Sequence, residues 1–157
     1  MRPLHEVTAK SKTHSEDGEM EHRSLNENYK RIAEGLIDSE PELEYIKDSR
    51  VRIAYLESDQ CKKSGKDRLV QDECEKVAAK NQWAIDYDFT ITIFVNNVIG
   101  MNEEQVKILL FHELMHICID VKEDGEEVYS TRKHDIEDFK LIVKKYGMDW
   151  SNRLERE

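Results

Sequence analysis

His112-Glu113-Leu114-Met115-His116 is the stretch of this chain whose residue types and spacing could carry out a reaction. On a helix, histidines four positions apart share one face, with Cβ atoms roughly 5–6 Å apart. That separation lets both imidazoles reach one tetrahedral metal ion, while a glutamate directly after the first histidine can hold a water on that metal. The pattern is the H-E-x-x-H signature of zinc hydrolases. Its surroundings, Val106 to Ile119, are largely apolar. Imidazoles and a carboxylate in such a run cost free energy unless they are paired, and a single cation satisfies both histidines at once. The competing reading, a buried helix with its histidines satisfied by hydrogen bonds, must pair every one of these groups by packing alone. Metal binding is the expectation.

A zinc site needs at least three protein ligands, with a fourth position left for water when it is catalytic. Beyond His116 the sequence holds one more histidine, His134, in His134-Asp-Ile-Glu-Asp-Phe139. The intervening chain allows a loop and a helical return, which favours His134; Glu137, Glu126 and Glu127 are rivals that would give a His-His-Glu set. One zinc ion per chain is expected, since imidazoles suit several metals and availability usually selects zinc. Three neutral imidazoles would leave the zinc its full charge and bring the pKa of bound water from 15.7 to about 7. Glu113 is then the general base, taking the proton of the metal-activated water and passing it to the leaving amine. Each ligand histidine needs an acceptor for its second ring nitrogen, and Asp120 and Asp135 are candidates. Tyr129, Arg132 and Tyr146 are candidates for stabilising the oxyanion.

The motif requires a helix beneath it. Asn102 before Glu103, Glu104 and Gln105 forms a capping-box pattern, with acids at the positive end of the helix dipole. A helix from about 103 to 119 is predicted. Upstream, Asp88 to Val95 alternates, with Phe89, Ile91, Ile93 and Val95 on one face and threonines on the other, which predicts a half-buried strand. Val51 to Leu56 reads as another strand. Tyr29, Ile32, Ala33, Leu36 and Ile37 follow a helical rhythm, and Pro41 opens a second short helix with Leu43, Tyr45 and Ile46. Residues 57 to 68 read as a surface loop, and 69 to 87 fit either a helix or a short strand in a wide hairpin. After Asp120, residues 122 to 127 mark a loop. Periodicity then returns at Ile136, Phe139, Ile142, Val143 and Tyr146, with Gly147 as C-terminal cap and Trp150 placed to fold back.

The whole chain has 157 residues, 38% hydrophobic and 37% charged, with a net charge of -10. That length suits one domain with extensions: a polar tail over 1–24, the domain over 25–150 and a charged tail over 151–157. His5, His14 and His22 are scattered without ligand spacing. The acidic balance disfavours nucleic acid, whose binding rests on basic patches. No run approaches the ~18 apolar residues of a membrane span, and no apolar segment of a secretory signal is seen, so cytoplasmic residence is the expectation. Cys61, Cys74 and Cys118 are odd in number and lack C-x-x-C spacing, which fits reduced thiols.

A helix with His112-Glu113-x-x-His116, a polar loop, and then His134-Asp-Ile-Glu-Asp-Phe139 resembles the phage-type metallopeptidase family, a relative of the SprT-like zincins. The likeness covers roughly residues 26 to 150 in element order. Asp138 departs from it, standing where a glutamate is more usual, which leaves the metal set untouched. The resemblance implies an α+β, zincin-like fold with a small sheet packed on the active-site helix and the third ligand, His134, on a C-terminal helix. It implies a peptide or protein substrate lying along a sheet edge, with the Asp88–Val95 strand helping to form that platform. No cysteine-rich ribbon or basic tail like those of some SprT-like proteins is present, so a DNA-associated role is not expected. The alternative to a metallopeptidase is a zinc-binding regulatory module without turnover, against which Glu113 counts, because a purely structural site has no use for a base.

Overall fold

The computed structural model describes residues 21–65, 68–133, 140–147 and 150. Its elements run β1 (Arg23–Leu25), α1 (Glu27–Ser39), a 3-10 turn at Pro41–Leu43, α2 (Glu44–Lys47), β2 (Ile53–Ser58), β3 (Lys63–Ser64), β4 (Arg68–Leu69), β5 (Asp72–Lys76), β6 (Phe89–Phe94), α3 (Glu103–Leu114), β7 (Ile117–Val121), β8 (Glu127–Thr131) and α4 (Lys140–Tyr146). The architecture is α+β. A four-stranded sheet has the order β1-β2-β6-β5, with β2 and β6 parallel and both outer pairings antiparallel. Two small hairpins, β3–β4 and β7–β8, complete the strands among the described residues.

The core forms where α1 and α3 cover one face of the sheet. Phe89, Ile91 and Ile93 of β6 meet Ile32, Ala33 and Leu36 of α1, and Ile108, Leu110, Phe111 and Leu114 of α3, all of them buried. Each large apolar side chain so buried contributes roughly 1.5–3 kcal/mol. Four consecutive residues of α3, Ile108 to Phe111, are buried, so this part of the helix is enclosed on every side rather than amphipathic, while its first turn at Glu103 and Glu104 is exposed. Its start is local chemistry: the Asn102 side chain accepts from Gln105 N–H at 2.9 Å, and Gln105 Oε1 accepts from Asn102 N–H at 3.1 Å. Trp150 does fold back, and its carbonyl accepts from Gln105 Nε2 at 3.1 Å.

Several expectations are corrected. The motif helix ends at Leu114 rather than 119, and the next residues form β7. Ile117 and Val121 continue the helical spacing of Leu110 and Leu114, yet with Ile119 they also alternate as a strand, and pairing with β8 decides between the two. Residues 122 to 127 contain the hairpin turn, with Gly125 at φ 87, a conformation that glycine adopts without a Cβ clash. β8, with no apolar run to announce it, was not foreseen.

The Asp88–Val95 strand, expected to be half-buried and to offer a sheet edge, is interior. β6 pairs with β2 on one side and β5 on the other. Its second face is also covered: Thr92 and Phe94 are fully buried, with Arg23 donating to Thr92 Oγ1 at 3.2 Å and the Arg23 and Lys62 cations over the Phe94 ring. The ambiguous stretch 69–87 supplies β5, the strand that ends the sheet at this side. Arg23 and Ser24, assigned to the tail by composition, form β1 and pair with Ser58 and Glu57. Among the described residues, no helix is long and apolar enough to cross a membrane.

Candidate metal centre

His112 projects from the last turn of α3, and Glu113 follows it with 4% of its surface exposed. Beyond Leu114 the backbone tightens: Met115 N–H still reaches Phe111 O at 3.1 Å, whereas His116 N–H bonds Glu113 O at 3.1 Å, a 3-10 turn that releases the chain into β7. His116 therefore stands just past the helix, not on it as expected. The two imidazoles nevertheless converge, with ring centroids 5.2 Å apart. His112 Nε2 lies 3.9 Å from Glu113 Oε2. One potential ligand atom from each of His112, Glu113 and His116 lies within 4.8 Å of the others, the one such group found among the described residues.

These residues form the floor of an open cleft of about 740 Å³. Asp72, Glu73 and Cys74 of β5 line one wall; Thr131, Arg132 and Lys133 line the other. Burial, reinforced by the Glu113 carboxylate, pushes the Cys74 thiol far above its ordinary pKa. With no cation beside it, Cys74 is thus a neutral thiol at physiological pH and a weak nucleophile.

The donor set suits a divalent transition metal. His116 Nδ1 lies 2.6 Å from the carbonyl oxygen of Arg132. A carbonyl only accepts, so the proton sits on Nδ1 and Nε2 carries the lone pair. Metal-binding histidines are commonly held in this way, by a hydrogen bond from the second ring nitrogen. The acceptor is a backbone carbonyl and not Asp120, which is exposed on β7 where helical spacing no longer applies. Asp135, the other acceptor considered, and His134, the expected third ligand, lie outside the described residues, as does Glu137.

The remaining candidates are sorted by their contacts. Tyr129 donates to Glu127 Oε1 at 2.6 Å and sets its ring against Phe89, with centroids 5.9 Å apart. Desolvation and the Glu127 hydrogen bond push its phenol up to about 12. Neither Tyr129 nor Tyr146 lines the cleft, whereas Arg132 does. Glu127, a rival ligand, is committed to Tyr129 and to the Arg50 backbone, and Glu126 pairs with Lys122 at 3.6 Å. Sequence reasoning missed the wall of β5 and the Arg132 carbonyl. The first gave no clear pattern, and a backbone acceptor leaves no side-chain signature.

The sequence matches the model of the family described as putative phage metallopeptidase over residues 21–156. No curated protein and no solved structure matches it.

Proposed function

The chain belongs to the phage metallopeptidase family, and from that premise we propose that it is a zinc-dependent, zincin-like peptidase whose metal is held by His112, His116 and His134, with Glu113 as general base. The observation that carries this reading is the convergence of His112, Glu113 and His116 within 4.8 Å on the floor of a cleft. The choice of His134 as third ligand is supported by its place in the sequence, directly after Lys133, a cleft-lining residue.

When bound, zinc supplies a Lewis acid that acidifies water and polarises the scissile carbonyl. The protein supplies the rest. Glu113, buried beside His112, holds its carboxylate at a fixed place where it accepts a proton from the attacking water and returns it to the leaving nitrogen. Burial keeps that carboxylate poorly solvated, which strengthens its hydrogen bonds to whatever enters the cleft. The Arg132 carbonyl keeps His116 in one tautomer. An extended peptide finds its main-chain partners along β5, the terminal strand of the sheet, which corrects the platform expected from the Asp88–Val95 strand.

Zinc content and proteolysis of unfolded protein substrates test this together. Wild-type protein is expected to hold about one zinc per chain and to cleave. Glu113→Gln should keep the metal while activity falls by about 10²–10⁴-fold. Equal inactivity of both proteins with zinc bound would replace the peptidase by a zinc-binding module, and failure to take up any metal would end the proposal.

A further inference from the structure

We propose that Arg132 is a positioning residue for the metal centre, its side chain fixing the turn after α3 so that its own carbonyl orients the His116 ring. This rests on the reading of His116 as a metal ligand.

Because His116 lies beyond the helix, helical geometry does not set its ring. Arg132 touches this exit turn in three ways. Its backbone N–H donates to His116 O at 2.8 Å. Its backbone carbonyl lies 2.6 Å from His116 Nδ1. Its side-chain Nε donates to the carbonyl of Met115, the residue that caps α3. The first contact continues the β7–β8 ladder past the Ile117–Thr131 pair. The third joins the helix end to the hairpin end, and a cation there suits the negative pole of the helix. With the side chain removed, the ladder end is held at one point fewer and the carbonyl loses its fixed aim at Nδ1.

Charge and orientation make opposite predictions for this residue. A guanidinium in the cleft that is to hold a cation repels it, so removing charge alone would tighten zinc binding. Removing a positioning contact loosens it, by about tenfold or more for residues that orient a ligand histidine. The direction of the change therefore distinguishes the two roles.

The experiment uses the full chain, with zinc affinity measured by competition against a chromophoric chelator. Arg132→Met is expected to bind zinc about tenfold more weakly. It should also alter the visible spectrum of the cobalt-substituted protein, and Arg132→Lys should recover part of both. Unchanged or tighter binding in Arg132→Met would overturn the proposal. Gly125→Ala strains the turn at the opposite end of the same hairpin, where φ is 87, and should lower the melting temperature while leaving zinc affinity unchanged. Equal weakening by Gly125→Ala would also overturn the proposal, since hairpin stability alone would then explain the loss.

Nitrogen-15 spectra of the metal-free imidazoles supply a readout independent of zinc. His116 should be the Nδ1–H tautomer in wild type and a mixture in Arg132→Met; the same tautomer in both would count against Arg132. A wild type that takes up no zinc, yet shows this tautomer shift, would sink the peptidase reading and leave the positioning of the ring intact.

Discussion

His112 and Glu113 stand on α3, whereas His116 stands two residues past its end, and the two halves of the site are held by different means. The helical half is fixed by contacts close in sequence and by deep burial. Asn102 and Gln105 close its first turn, and Ile108 to Phe111 lock it into the core. The hairpin half is fixed by contacts distant in sequence. Arg132 holds His116, Tyr45 donates to Ile117 O at 2.6 Å, and Arg50 donates to Glu127 and to Gly125 O. One imidazole is therefore as secure as the fold itself, while its neighbour depends on a hairpin that these polar contacts tie to distant segments, alongside the packing of Ile117, Ile119 and Tyr129 on the core. Perturbing the first half should cost global stability; perturbing the second should cost the site first.

The largest expected effect comes from the core of the helical half. Phe111→Ala removes a fully buried ring from α3 and should destabilise the protein by about 3–5 kcal/mol. Chemical denaturation reads this directly, and a loss below about 1 kcal/mol would mean that the helix is not the enclosed centre described here. A smaller effect is expected from Asn102→Ala, which deletes the side-chain half of the capping box and should cost about 1 kcal/mol. Zinc affinity should be retained, because the cap lies at the far end of the helix from His112. Weakened binding without a shift in the denaturation midpoint would contradict this division of labour.

The smallest effect concerns acid and the hairpin. The Tyr129 hydrogen bond and the Arg50 backbone N–H hold the Glu127 carboxylate below its ordinary pKa. A carboxylate depressed in the folded state contributes stability above its unfolded pKa and loses it as pH falls through the folded value. Amide hydrogen exchange in β7 and β8 should thus be slower in wild type than in Glu127→Gln near neutral pH, with the gap closing on acidification below the usual carboxylate range. A gap that persists in strong acid would show that ionisation of Glu127 is not what anchors the hairpin.

The same division explains what could be read in advance. The capping box, the helix carrying His112 and Glu113, strands close to Ile53–Ser58 and Phe89–Phe94, and the Gly147 turn at φ 87 are written in local spacing, whereas the end of β2 and the β3–β4 hairpin fall in the stretch 57–68 that reads as a loop. The helix end is ambiguous in the sequence because Ile117 and Val121 continue the helical spacing of Leu110 and Leu114 while also alternating with Ile119 as in a strand. β5, Asp72-Glu-Cys-Glu-Lys76, is too polar to announce a strand; Glu73 is accommodated because Arg23 and Lys62 pair with it. The buried second face of β6 was likewise invisible, since it is covered by Arg23 and Lys62 from elsewhere in the chain.

By itself, then, the sequence determined the chemistry on offer, His112, Glu113 and His116, and the helix bearing the first two, because hydrogen bonds between near neighbours and apolar spacing act over a few residues. Only the tertiary structure decided that His116 leaves that helix, that Arg132 supplies the acceptor for its ring, and that β5 rather than β6 borders the cleft. Those outcomes depend on backbone pairing between distant segments, and a backbone carbonyl or a strand partner carries no mark in the identity of the residue that provides it.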